Sequence, residues 1–288
     1  MTSPRFDEVR CLSPGGFHFM RWTEWGEADN SRLLVCAHGL TRVGRDFDSL
    51  AQALAAHYRV VCPDVVGRGR SDWLRQPLAY VIAQYANDMA MMLARLNAKS
   101  VAWVGTSMGG LIGITLAGQP GSPIGRLLLN DVGPTLDAAA LMRIGEYVGQ
   151  PVRFNDLELA TDYVTAISKP FGLTSRAQWR TITESVVVRD GDGYRMHYDP
   201  RIAIPFKQIT PAAAAAGEAA LWALYDAIAV PTLLVRGENS DLLSRATAAQ
   251  MTTRGPKATV VEIAGVGHAP MFMDQLQIGI ATQFLLGA

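Results

Sequence analysis

Residues 101–113 read VAWVGTSMGGLIG, and this stretch decides the fold. One serine, Ser107, stands among three glycines at the point where an apolar strand pattern gives way to a helical one. Glycine inside a regular element costs roughly 0.5–1 kcal/mol relative to alanine, so Gly105, Gly109 and Gly110 need a local reason. A strand ending at Thr106 and a helix starting at Met108 supply it. A turn that sharp crowds the residues two before and two after the serine, so both must lack side chains, and the serine itself is held in a strained conformation that lifts its hydroxyl clear of the sheet edge. The helix N-terminus behind it adds positive potential and free N–H groups. The stretch predicts an exposed, oriented nucleophile.

Outward from this point, strands and helices alternate. Upstream, RLLVCAHG (32–39) and YRVVCPDVV (58–66) are near-continuous apolar runs, as expected of strands covered on both faces. Between them Phe47, Leu50 and Leu54 share a helical face over 45–56, and Ile82, Tyr85, Met89, Met92 and Leu96 mark the next helix. Residues 6–12 and 17–26 read as a hairpin punctuated by SPGG. Downstream comes the strand IGRLLLND (124–131). The pattern predicts an α/β fold: a mostly parallel sheet flanked by helices. After Pro134 the alternation stops. Residues 135–229 read as helices at about 137–148, 156–168, 174–187 and 212–228, an all-helical insertion. PTLLVRGENSD (231–241) and ATVVEIAGVGHAP (258–270) restore buried strands, and QLQIGIATQFLLG closes with a helix.

The bulk numbers restrict the function classes. The 288 residues carry 26 basic and 26 acidic side chains and are 49% hydrophobic. Without a basic stripe or acidic tail, nucleic acid and anionic membranes are not expected as partners, and a small-molecule substrate is. Zero net charge leaves a homo-oligomer open. Cys11, Cys36 and Cys62 are an odd set that reads as free, buried thiols. MTSPRFDEVR has no apolar run like that of a signal peptide, and Glu218 and Asp226 interrupt the Ala-rich stretch at 212–230, so a cytoplasmic location is expected. No metal-ligand cluster or nucleotide-binding glycine loop is visible in the sequence, so no cofactor is expected.

A serine hydroxyl needs a base. His268, in the Gly-rich loop after the last strand, reaches the same sheet edge as Ser107. His57 reads as solvated, and His18 and His197 as structural. The base needs a carboxylate to set its tautomer. Asp241, in the turn after the penultimate strand, is the favoured acid, with Asp131 after the preceding strand and Glu238 as competitors. Oxyanion donors are expected from the backbone N–H groups of Met108 and Leu40, with Gly39 allowing a tight turn and His38 bracing the loop. Tyr147, Phe171, Trp179, Phe206 and Trp222 of the insertion, with Met271, are candidates to line a pocket. Arg42 or Arg45 is a candidate clamp for a substrate carboxylate.

HGL (38–40), DVVGRGRSD (64–72), GTSMGG (105–110), GENSD (237–241) and GHAP (267–270) occur in the order found in α/β-hydrolase-fold enzymes, and the chain resembles the lidded members over essentially its whole length. The resemblance implies an eight-stranded, mostly parallel sheet, a core domain of residues 1–134 and 230–288, and a helical lid at 135–229. It implies the triad Ser107, Asp241 and His268, and makes Asp64, Arg68, Arg70 and Asp72 scaffold. Hydrolysis of a carboxylic ester through an acyl-enzyme is the expected reaction. Carbon–carbon hydrolysis of ring-fission products, or lyase or acyltransferase chemistry on the same triad, is the alternative, and a non-catalytic small-molecule receptor a more distant one.

Overall fold

The computed structural model describes residues 3–287. Its strands are β1 (Arg5–Ser13), β2 (Gly16–Trp25), β3 (Leu33–Ala37), β4 (Arg59–Asp64), β5 (Val101–Thr106) and β6 (Ile124–Asn130), then β7 (Arg153–Phe154), β8 (Val187–Asp190) and β9 (Gly193–Met196), and finally β10 (Thr232–Gly237) and β11 (Thr259–Ile263). Eight of them form one sheet in the order β1-β2-β4-β3-β5-β6-β10-β11. The pairs from β4 through β11 are parallel, and β2 runs antiparallel to both of its neighbours. This is the eight-stranded, mostly parallel sheet expected.

Helices cover both faces, because the central strands are apolar on both. Within β3, Leu33, Val35 and Ala37 enter one core while Leu34 and Cys36 enter the other, following the two-residue period of a strand. The first core takes α2 (Ile82–Arg95) and α3 (Met108–Ala117); Met89, Met92 and Ile112 are buried there. The second takes α1 (Asp48–Leu54) and the C-terminal helix at Gln275–Leu286, with Leu50, Leu54 and Leu285. All three cysteines are buried and free. Cys11 sits beside the buried His18–Asp88 pair, whose Nε2–Oδ2 contact of 3.0 Å clasps the β1–β2 hairpin to α2. Burial, with the neighbouring Asp88, pushes the Cys11 thiol up to about 12. No helix among the described residues is long and apolar enough to cross a membrane.

Between β6 and β10 the chain builds α4 (Ala138–Tyr147), α5 (Leu157–Ile167), α6 (Arg176–Val186), α7 (Ala203–Lys207) and α8 (Pro211–Asp226). Their starts are set by side-chain caps: Asp137, Asp156, Ser175 and Thr210 each accept a backbone N–H of the first turn. The insertion is not all-helical, however. β7, β9 and β8 form a small antiparallel sheet. Helix α6 stops where the β-branched run Val186–Val187–Val188 favours extended backbone. Asp190 pairs with Gly193, and Gly191 takes φ 63° in the two-residue loop between them, closing a short hairpin.

Candidate active site

Ser107 occupies the turn between β5 and α3 with φ 51° and ψ −116°, outside the ordinary regions for an L-residue. The expected crowding is present. A Cβ on Gly105 would lie 2.3 Å from the Gly109 carbonyl oxygen, and one on Gly109 would lie 2.0 Å from that of Ala37. Helix α3 is seated by Trp103 of β5, whose indole N–H donates to the Gly109 carbonyl at 3.0 Å.

His268, in the loop after β11, places Nε2 3.0 Å from Ser107 Oγ. Its Nδ1 lies 2.7 Å from Oδ2 of Asp131. A carboxylate only accepts, so Nδ1 carries the proton and Nε2 is left to accept from the serine hydroxyl. Asp131 is fully buried. Its Oδ1 accepts the Gly237 N–H at 2.8 Å and its Oδ2 the Ser240 hydroxyl at 2.6 Å.

The expectation for Asp241 is therefore corrected. Its side chain is 44% exposed and bound by Arg143 of α4 through Nε and Nη2, at 3.0 and 2.6 Å. Glu238 accepts the Gly265 N–H. The turn after β10 contributes to the histidine's surroundings by supporting Asp131, through Gly237 and Ser240. The physical reason is register. Thr106 at the end of β5 pairs with Asn130 at the end of β6, so Ser107 and Asp131 leave adjacent strands side by side, and both take positive φ, 51° and 55°.

The Leu40 and Met108 backbone N–H groups have no acceptor among the described residues, and Leu40 lies with Ser107 in the walls of both adjoining cavities. His38 braces the Leu40 loop as expected. Its Nδ1–H donates to the Gly39 carbonyl at 2.7 Å while Nε2 accepts the Val65 N–H at 2.9 Å. Burial, with the charges of Arg68 and Arg42 beside it, lowers its pKa to about 3. Arg68 is fully buried and donates through Nε to the Leu40 carbonyl at 2.8 Å, while Nη2 lies 3.4 Å from Met108 Sδ.

Two cavities meet at Ser107. One, about 70 Å³, is walled by His268, Met271, Arg42, Tyr147 and Phe171, and by Arg143 at its outer side. Arg42 is committed to Asp46 by two 2.7 Å contacts and stacks on Phe171. Arg45 pairs with Asp48. The second cavity, about 330 Å³, is apolar and takes in Met108, Leu141 and Phe206. Two expectations need correction. Trp179 lies behind Phe171, ring centroids 6.4 Å apart, and walls neither cavity. Trp222 packs edge-on against Tyr225, donates to Thr135 Oγ1 at 2.9 Å and carries Arg254 over its ring, so it belongs to the packing of α8. Asn130 escaped the sequence reading. Its Nδ2 bonds Thr106 Oγ1 at 2.9 Å and the Pro270 carbonyl at 2.7 Å, tying the histidine loop to the serine's strand. The only available signal was a polar residue closing the apolar run LLLN.

A strained serine between strand and helix, facing an imidazole at the C-terminal edge of a mostly parallel sheet, defines the class of α/β-fold serine hydrolases. Residues 34–277 match the model of the alpha/beta hydrolase family. Over the whole chain and 99% of the relative, the sequence is 54% identical to a 3-hydroxybutyrate-oligomer hydrolase of Cupriavidus necator. An alpha/beta hydrolase of Novosphingobium aromaticivorans superposes with TM-score 0.86 and 32% identity over the full length of both chains. E-2-(acetamidomethylene)succinate hydrolase shares the fold, with TM-score 0.82 at 22% identity over 99% of this chain and 100% of its own. The chain belongs to the alpha/beta hydrolase family. It is a hydrolase, and the reaction is that of a carboxylic ester hydrolase.

Proposed function

We propose that this enzyme hydrolyses short oligoesters of 3-hydroxybutyrate through an acyl-enzyme on Ser107. The substrate rests on the relative that is 54% identical end to end. The residue roles rest on the relay from Ser107 Oγ through His268 to Asp131, with links of 3.0 and 2.7 Å. His268 takes the serine proton as Oγ attacks the ester carbonyl. The Leu40 and Met108 N–H groups stabilise the oxyanion. Collapse breaks the ester C–O bond, and His268 protonates the departing alkoxide. Water then attacks the acyl-enzyme, giving its proton to His268, and the serine recovers it as the acid leaves. Asp131 holds the imidazole in the productive tautomer and stabilises its charged form. Residues 135–229 act as the lid that walls the site, leaving 1–134 and 230–288 as the core domain.

The test is a comparison of 3-hydroxybutyrate dimer and trimer with p-nitrophenyl esters. The expected result is release of 3-hydroxybutyrate, with a p-nitrophenol burst equal to the enzyme concentration that Ser107→Ala abolishes. Faster cleavage of a vinylogous 1,5-diketone than of any ester would overturn the reading.

A further inference from the structure

The two cavities at Ser107 are unlike, and the difference gives the site a direction. The general acid is His268, so the leaving oxygen must depart on its side. His268 walls the small cavity and not the large one. The leaving alcohol therefore occupies the small cavity, and the acyl chain held on Ser107 extends into the large one. In an oligoester of a hydroxy acid, the leaving alcohol is the part that carries the free carboxyl end.

The walls suit that assignment. The small cavity, about 70 Å³, has room for a handful of non-hydrogen atoms, on the scale of one short hydroxy acid. Arg143 stands where it meets an open cleft that also takes in Asp241. Arg42, the other cation of this cavity, is held by both oxygens of the partly buried Asp46. Arg143 is 39% exposed, and both of its contacts go to a single oxygen of the half-exposed Asp241. Such a solvated pair is weak and exchangeable, whereas a guanidinium engages a carboxylate through two parallel N–H donors. On the other side, the walls of the 330 Å³ cavity contain no charged residue, and it shares Leu141, Phe206 and Ile209 with a surface groove of about 460 Å³. Together they provide a run long enough for several acyl units, uncharged beside Ser107 and flanked by Glu146 and Lys207 only in the outer groove.

We infer that the enzyme attacks the ester nearest the free carboxyl end and releases one hydroxy acid per turnover, with Arg143 reading the terminal carboxylate. The inference rests on the oligoester reading above.

The experiment is a single turnover of a 3-hydroxybutyrate trimer carrying ¹³C in its carboxyl-terminal unit, quenched and analysed by mass spectrometry. The expected first products are labelled monomer and Ser107 bearing the unlabelled two-unit acyl group. Unlabelled monomer-derived acyl-enzyme with labelled dimer would overturn the direction while leaving the oligoester reading intact. A trimer left uncleaved by an enzyme that still gives the p-nitrophenyl burst would end the oligoester reading and this inference with it. The role of Arg143 is read from the ratio of kcat/KM for the free-acid trimer to that for its methyl ester. Arg143→Gln should lower that ratio roughly tenfold, and an unchanged ratio would remove Arg143 from the account.

Discussion

Asp131 and Asp241 differ by where they leave their strands. Asp131 directly follows the last residue of β6, in step with Ser107 after β5, while Asp241 comes four residues beyond β10 and turns out to Arg143. Both stood as candidates in the sequence, because a carboxylate near a strand end is all that spacing reveals. Choosing between them needs the adjacent-strand register and the Ser240 hydroxyl that points back to Asp131. Asparagine at 131 would offer the imidazole an N–H where it needs an acceptor, and Asp131→Asn should lower kcat by about 10⁴-fold. Asp241→Asn on an uncharged ester should cost no more than about threefold, since it loses only a half-exposed ion pair. Steady-state rates on p-nitrophenyl butyrate separate the two. A large loss at 241 with a small one at 131 would reverse the assignment of the acid.

At the scale of the element, the strand–turn–helix around Ser107 was legible because its constraints are local. Steric crowding within a few residues demands glycine whatever the rest of the chain does. Gly109→Ala would press a methyl group onto the Ala37 carbonyl, lift α3 off β3 and displace the Met108 N–H. It should destabilise by about 1–3 kcal/mol and lower the burst rate with it. Gly279, exposed within the C-terminal helix, has nothing within 4 Å of an added Cβ. Gly279→Ala should instead stabilise by about 0.5–1 kcal/mol with the burst intact. Thermal melts of the two variants should therefore move in opposite directions, and equal shifts would refute the crowding argument. The hairpin of β8 and β9 was less legible, because four-residue strands are too short to display a period, and because α6 runs straight into them.

At the scale of the whole molecule, burial couples the oxyanion loop to pH. His38 lies inside the protein with its pKa near 3, against about 6.5 when unfolded. Between those values the unfolded chain binds the proton that the folded chain refuses. This contribution is thus complete above about pH 6.5 and is lost as pH falls toward 3, at up to about 1.4 kcal/mol per pH unit. Urea titrations at pH 7.5, 6 and 5 should show the stability gap between wild type and His38→Gln narrowing with acid, and a constant gap would contradict the neutral, buried imidazole. Sequence alone determined the sheet, the position of the insertion, the elbow serine and the histidine, because each follows from periodicity or from crowding between near neighbours. Only the tertiary structure decided which carboxylate meets the imidazole, which aromatic residues wall the cavities, and that the serine opens onto two unlike cavities. Those outcomes depend on strand register and on packing between segments far apart in the chain, where a shift of one residue turns a side chain to the opposite face.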